Sequence, residues 1–322
     1  IEEIMSKKFI KDLQEGDLIS NYFGVLIKSL RKTKTYKDYL DLILVDKTGR
    51  INAKVWERIE NVKDNFEKGD PVAVKGLVVS FNEELQLKVD SIRRVDPELD
   101  KKYGFDFMDL VPTTEKDINQ MWDEVQKFIQ SIQNPHLKSV VSDIYLKFGD
   151  LIKIYPASMI LHHPYRGGLL EHIHSMSNLA VSISKNYTNL DGDLVLAGIL
   201  LHDIGKLKEL EPDMATSYTD EGNFIGHIVL GRDILLEAIS KIDNFPETLK
   251  LKLEHIILSH QGKYEWQSPK EPEFLEALIV YLIDEMDTRI NQMKNGIESD
   301  NTEGDWTSKK NYFHRPLYKG DS

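Results

Sequence analysis

The stretch "DLVLAGILLHDIGK", Asp193–Lys206, is apolar almost all the way round a helix and ends on a histidine and an aspartate side by side. A helix that is apolar on every face belongs in the middle of a bundle. Burying a charge or an unpaired polar group costs free energy, so His202 and Asp203 need partners there. Neighbours on a helix diverge by about 100°, yet at a helix end both side chains can converge on an ion placed off the axis. Gly205, just after Ile204, reads as a left-handed stop.

Helix-period runs surround this segment at roughly 115–133, 136–149, 168–187, 191–204, 223–242, 246–260 and 272–294. Thr113 or Thr114 reads as the cap of the first, with Glu115 and Asp117 complementing its dipole. Upstream the pattern changes. "LISNYFGVLIKSL", "YLDLILVD", "INAKVWERI", "PVAVKGLVVSF" and "LQLKVDSIRRV" are five short runs rich in Val, Ile, Leu and aromatics, several with period-two alternation. Asp46-Lys-Thr-Gly49 makes a tight hairpin, and "ERIENVKDNFEKG" is a helix-compatible link between the third and fourth runs. Five strands with that insertion are the layout of an OB-fold barrel.

Charge and histidine divide the chain the same way. Residues 1–110 hold 20 Lys+Arg against 21 Asp+Glu, and the remainder holds 21 against 32, for a net charge of −12 over 322 residues. All ten histidines lie at or beyond His136, eight of them between His162 and His260. The acidic balance argues against indiscriminate nucleic-acid binding. Cysteine is absent, which excludes disulfides, thiolate metal sites and cysteine nucleophiles and fits a cytoplasmic protein. No apolar run is long enough to span a bilayer, and the opening "IEEIMSKKFIKDL" has no signal-peptide core, so no membrane partner is expected.

Candidate nucleic-acid contacts gather where the first two strands join. "KSLRKTKTYKDY" supplies Lys28, Arg31, Lys32, Lys34 and Lys37 with Tyr36 and Tyr39; Lys54, Trp56 and Phe81 extend the surface. Basic groups track phosphates and aromatic rings stack bases. Trp56 taken alone reads as core before it reads as platform.

In the back half, polar residues interrupt apolar helical faces at His172, His202, Asp203, His227, His260 and Asp284. Each type can ligate a divalent cation, and a cation turns the mutual repulsion of so many buried ionisable groups into coordination. Helix-bundle cores are common sites for such centres. Asp203 is placed to bridge two ions, and Gly226 and Gly231 leave room around His227. Lys206 follows the pair either as a group that offsets charge on a scissile phosphate or as an ordinary exposed lysine. His163 and Arg166 read as phosphate contacts, and His162 and His174 as structural residues.

In that order on successive helices, these six residues resemble the ligand series of the HD-domain metal-dependent phosphohydrolases. "LHHPYRGGLLEHIHSM", "LLHDIGK", "EGNFIGHI", "LSHQGKYEWQSPKEP" and "YLIDEMDTR", together with the barrel, resemble the YhaM-type exoribonucleases over almost the whole chain. The chain departs from the family at Gln261, where relatives commonly carry a second histidine; His260 is taken as the ligand, with His255 as the competing assignment.

The resemblance implies a multidomain α+β fold: an OB-fold β-barrel over 1–96, a linker at 97–113, an all-α HD domain over 114–294 and a tail at 295–322. It implies a metal-dependent 3′→5′ exoribonuclease with His202, Asp203 and Lys206 as catalytic residues. The substrate is single-stranded RNA, with single-stranded DNA second, and the products are nucleoside 5′-monophosphates. Mn²⁺ is the expected cofactor, ahead of Co²⁺, Fe²⁺, Zn²⁺ and Mg²⁺, at one or two ions per chain. Such ions lower the pKa of water and clamp phosphoryl oxygens. A homo-oligomer is the expected way to enclose a strand. The rival readings are a phosphodiesterase for a small nucleotide or cyclic dinucleotide, and a non-catalytic nucleic-acid-binding protein with a structural metal.

Overall fold

The computed structural model describes residues 8–33, 35–81, 84–158, 163–187, 189–211, 217–300 and 302–320. Lys34 and His162 lie outside them. The chain forms two compact units, the first carried by residues up to Thr113 and the second by most of the chain from Thr114 onward.

The first unit is a closed five-stranded barrel in the order β1-β2-β3-β5-β4. Its strands are β1 (Leu18–Lys32), β2 (Asp38–Asp46), β3 (Gly49–Val55), β4 (Pro71–Phe81) and β5 (Glu84–Arg94), with only a single helical turn, α1 (Ile59–Val62), between β3 and β4. One long strand closes the barrel. The first half of β1 pairs with β4 and the second half with β2, with an irregularity between Val25 and Ile27 where the strand turns. Parallel pairing of β3 with β5 completes the ring. Alternate residues point inward, so Phe23, Val25, Leu42, Leu44, Ala53, Val72, Val78 and Leu87 form a fully buried core. The β2–β3 hairpin is pinned by buried Asp46, whose carboxylate accepts from Thr48 N and from Ile10 N at 2.7 and 2.6 Å.

The stretch expected as a linker is instead packed structure. It contains α2 (Pro97–Asp100), capped by the Asp96 side chain, and two 3₁₀ turns. Val95, Phe105 and Leu110 close a small core against Tyr22 and Ala73, and the Arg93 guanidinium grips buried Asp100 at 2.7 and 2.6 Å. The apolar residues are too widely spaced to give a periodic signal.

The second unit holds α3 (Ile118–Ser131), α4 (Pro135–Ile152), α5 (Gly168–Ser184), α6 (Gly192–Leu201) and α7 (Lys206–Glu209), then a two-stranded ribbon of β6 (Leu210–Glu211) and β7 (Ser217–Tyr218). Four helices follow: α8 (Asp220–Phe224), α9 (His227–Ile239), α10 (Glu247–Ser259) and α11 (Leu275–Glu298). It is therefore mostly helical rather than all-α. Asp117, not a threonine, caps α3, because its carboxylate reaches Asn119 N and Gln120 N. The run expected as one helix over 223–242 is broken at Gly226, whose φ of +80° no side-chain-bearing residue adopts easily. From Leu194 to Leu201, every residue of α6 is buried. Among the described residues no helix is long and apolar enough to cross a membrane.

Gly205 does not stop a helix in the left-handed region; its φ is −66°. It is glycine because two backbones cross there. A Cβ at this position would stand 1.9 Å from the His227 carbonyl oxygen and 2.5 Å from Gly231 N. Gly205→Ala is expected to cost about 3 kcal/mol or more, read as a lowered midpoint in urea unfolding; an unchanged midpoint would refute the crossing.

Candidate metal centre

Five helices bring one residue or one pair each to a common point. His172 comes from α5, and His202 and Asp203 from the turn closing α6. His227 is the first residue of α9, His260 caps the C-terminus of α10, and Asp284 lies within α11. Gly205 permits the approach of α9 that brings His227 in. Ring centroids run in a row, His172 to His202 at 5.4 Å, His202 to His260 at 5.2 Å and His260 to His227 at 5.6 Å.

Asp203 stands inside that row and its two oxygens face different partners. Oδ2 lies 3.3 Å from His202 Nε2 and 4.0 Å from His172 Nε2, which itself lies 3.2 Å from Asp284 Oδ1. Oδ1 lies 3.6 Å from His260 Nε2 and 3.7 Å from His227 Nε2. Ligand bonds of about 2.1 Å hold neighbouring donors roughly 3–4 Å apart, so both groups have the spacing of a coordination shell.

The other ring nitrogen of each histidine is already engaged. His202 Nδ1 lies 2.7 Å from Ile199 O, and His260 Nδ1 lies 2.7 Å from Ile257 O. A carbonyl only accepts, so both Nδ1 atoms donate, and in the neutral ring the Nε2 lone pair points at Asp203. His227 Nδ1 is held by Glu209 Oε1 at 2.9 Å and His172 Nδ1 by Asp287 Oδ2 at 2.8 Å. Asp287 is held in turn by Ser175 Oγ. His202 Nε2 is buried without a hydrogen-bond partner. Such an atom is costly unless something else occupies it, and an all-nitrogen-and-oxygen donor set suits a divalent cation.

Charge is distributed to match. Burial opposes ionisation of Asp203, but Lys206 and His202 outweigh it and hold the carboxyl well below its usual range. Asp284 behaves alike, burial being overcome by His172 and His202. Burial also opposes the charge on His172, yet Asp284 and Asp287 push it up to about 10. His260 goes the other way: burial and then the neighbouring His202 bring it down to about 4.

Lys206 is buried, not exposed, and its Nζ contacts Asp203 Oδ2 at 2.5 Å. Two clefts flank the centre and share Lys206 and Gln261. One, of about 300 Å³, is lined by Asp203, His260 and Asp284; the other, of about 410 Å³, by His227 and Glu209. His163 is not placed as a phosphate contact. It is 4% exposed, with Nε2 3.2 Å from Asp287 and Nδ1 2.7 Å from the Tyr165 hydroxyl, so it braces the His172–Asp287 pair. Arg166 is half-buried and lines neither cleft. His174 pairs with Glu124 at 2.5 Å, away from the centre. His255 accepts from Glu273 N and packs on Phe274, leaving His260 as the histidine beside Asp203. Asp287 and Glu209 escaped the sequence reading, although Asp287 sits one helical turn after Asp284.

On the barrel, Trp56 is 43% exposed and stacks on Tyr39 at 4.7 Å, so it lies at the surface rather than in the core. Lys54 lies 5.4 Å over the Tyr39 ring and pairs with Asp41; Tyr36 is exposed, as is Lys32, which faces Asp38. Lys28 is turned away to Phe66 O and Glu67, whereas Arg31, directly across the strands from Tyr39, shares Asp41 with Lys54. Phe81 is exposed but does not join this group. It pairs with Glu84, about six residues along β5 from the level of Trp56, roughly 20 Å.

The HD domain family model matches residues 169–289, and a model described as an OB-fold nucleic acid binding domain matches residues 23–95. A model described as a putative helicase matches 111–191. A relative from Bacillus pumilus (strain SAFR-032), named 3′-5′ exoribonuclease YhaM, is 36% identical over 91% of this chain and 94% of its own. The protein of that name from Bacillus subtilis (strain 168) is 35% identical over 94% and 96%. Among solved structures, the second OB-fold domain of replication protein A from Methanococcus maripaludis covers 29% of this chain and 96% of its own, at 25% identity and a TM-score of 0.24.

An imidazolium cannot ligate, so a cation entering beside His172 must displace its proton. Affinity for Mn²⁺ is therefore expected to rise between pH 6 and pH 8, with proton release, by up to about tenfold per unit. Glu209→Ala should weaken binding by about 10–100-fold by freeing the His227 ring. Calorimetric titration checks both, and pH-independent binding would remove His172 from the ligand set.

Proposed function

The chain belongs to the YhaM family of 3′-5′ exoribonucleases, metal-dependent hydrolases, and from that premise we propose that it shortens single-stranded RNA, and single-stranded DNA less readily, to nucleoside 5′-monophosphates. His172, His202, Asp203 and Asp284 would hold one ion, and Asp203, His227 and His260 a second, with Mn²⁺ the favoured cation. A divalent cation bound there activates water and offsets charge on phosphoryl oxygens. The observation that carries the reading is the division of Asp203 between two pairs of histidines.

The chain's own groups have distinct parts. Lys206 keeps Asp203 ionised and lies at both clefts, where its ammonium opposes the charge of an incoming phosphodiester. Asp287 and Glu209 orient His172 and His227. Backbone carbonyls orient His202 and His260, so the donor geometry exists before substrate arrives. The barrel contributes capture: the Tyr39–Trp56 stack offers an aromatic surface, and Arg31, across the strands from Tyr39, and Lys54, over its ring, would meet a phosphate backbone.

A 5′-labelled single-stranded RNA incubated with the protein and Mn²⁺ should give a ladder that shortens from the 3′ end. An untouched strand with each of several divalent metals would refute the reading. Asp203→Asn should lower kcat by at least about 100-fold at little change in KM.

Trp56→Ala should act on the other parameter, raising KM for RNA oligomers about tenfold while leaving kcat near its original value. Initial-rate kinetics separate the two. An unchanged KM would take the barrel stack out of substrate capture.

A further inference from the structure

The cleft on the Asp284 side of the centre has a wall that metal binding does not explain. Helix α11 continues past its acidic residues and presents Tyr281, Asp284, Glu285, Thr288, Arg289 and Gln292 to it, a spacing of three and four that keeps them on one face. Opposite them stand Trp266, from a 3₁₀ turn, and Tyr312, from the C-terminal segment.

Cations and rings alternate along this wall. Lys263 Nζ lies 4.5 Å from the centroid of Trp266, and Arg289 lies 5.6 Å from Trp266 and 5.2 Å from Tyr312. The series ends on Tyr312, which is 45% exposed. Behind the wall, Tyr281 donates to Glu285 at 2.7 Å, and its ring fills the space a Cβ on Gly262 would need, 2.2 Å away. Also lining the cleft, Gln292 is 5% exposed, and its Oε1 is a buried acceptor without a hydrogen-bond partner. A buried unpaired acceptor is expensive to keep. It calls for a ligand that brings an N–H or O–H donor.

The C-terminal segment is fixed in place. Leu317 is buried, and Asn311 Nδ2 donates to Ser308 O and Arg315 O at 2.9 and 2.7 Å. Lys319 pairs with Asp300 at 2.8 Å, and Gly296 of α11 admits Asn311 and Leu317 against the helix. Tyr312 is thus held at the mouth of the cleft by a built turn.

We propose that this cleft receives the terminal nucleoside of the substrate, with its base stacked on Tyr312 and a base or ribose donor bonded to Gln292 Oε1. A planar ring with hydrogen-bond donors, joined to a phosphate that reaches Asp203 and Lys206, matches what lines the cleft. A volume of about 300 Å³ is at the small end for ligand sites and suits one nucleoside. Tyr312, Arg289 and Gln292 become positioning residues for the end of the strand, and the C-terminal segment becomes part of the substrate site. The inference rests on the exoribonuclease reading for its substrate.

The test compares ligands with and without a base. In Mn²⁺-containing buffer, calorimetry on the full chain should find adenosine 5′-monophosphate bound about tenfold more tightly than ribose 5-phosphate. Tyr312→Ala should erase that preference and Tyr312→Phe restore it. In kinetics, an RNA ending in an abasic nucleotide should show a KM about tenfold above that of the intact strand with the wild-type protein, and no difference with Tyr312→Ala. Equal base preference in wild type and Tyr312→Ala would overturn the proposal. RNA left intact by the wild type would remove the exoribonuclease reading, and the monophosphate comparison would still decide the cleft.

Discussion

The buried carboxylate of Asp203 is the constraint on which the second unit depends. A lone anion at the centre of a helical bundle would neutralise itself or unfold its surroundings. Here it is kept ionised by Lys206 first, then by His202 and His227, and four histidines surround it. Each of those histidines requires a helix end or face to arrive at a set place. Two arrive by one local device. His202 and His260 both cap the C-terminus of their helix, and both return Nδ1 to the carbonyl three residues earlier. Those carbonyls are among the groups a helix end leaves unsatisfied. One hydrogen bond therefore finishes the helix and sets the direction of the other ring nitrogen, so termination and ligation are the same structural act.

How much of this was legible in the sequence depends on whether a residue's neighbours in space are also its neighbours in the chain. The strands announced themselves through alternation, and α6 through unbroken apolarity, because both signals are local. Asp203 and the five residues around it stood out because each interrupts an apolar face. Asp287 and Glu209 did not, since a carboxylate near a helix surface looks like any solvated one; what marks them is a histidine 115 and 18 residues away. Gly205 was misread for the same reason. A glycine after a helix has a ready local explanation, while its actual cause, the backbone of α9 within 1.9 Å of a would-be Cβ, is non-local. His163 fits this pattern too. It read as a phosphate contact, but it turns inward to Asp287 on α11.

The barrel shows the complementary limit. Composition identified basic and aromatic residues suited to a nucleic acid, yet composition has no register. Pairing of β3 with β5 and of β4 with β5 puts Trp56 and Phe81 at different levels of the same sheet. The Tyr39–Trp56 stack is what remains as a continuous aromatic surface. It exists because Leu40 pairs with Val55, so that each ring lies one residue beyond a paired, buried position on adjoining strands. Of the cations around it, those with the nearest carboxylates are already spoken for: Lys28 with Glu67, Arg31 and Lys54 with Asp41. Lys28 and Lys54 are largely buried in their pairs, but Arg31 is exposed, and an ion pair with an exposed partner is worth little, so a phosphate can compete for Arg31 at small cost.

Helix α11 joins the two themes. Its 24 residues are many more than Asp284 and Asp287 need for support, and its last three turns would be surplus if metal binding were its whole purpose. One helical period past Asp284 the same face carries Thr288 and Arg289, and the next carries Gln292, so a single helix runs from the ionised centre along the cleft. The C-terminal segment folds back on the far end of that helix at Gly296 and sets Tyr312 over Arg289. Spacing from Asp284 to Arg289 and Gln292 is therefore governed by helical rise, which is nearly invariant, and the turn that carries Tyr312 is docked on that same helix. An enzyme that removes one residue at a time from a polymer needs a measured separation between the scissile phosphate and the end of the strand, and a helix is the stiffest ruler a chain can make.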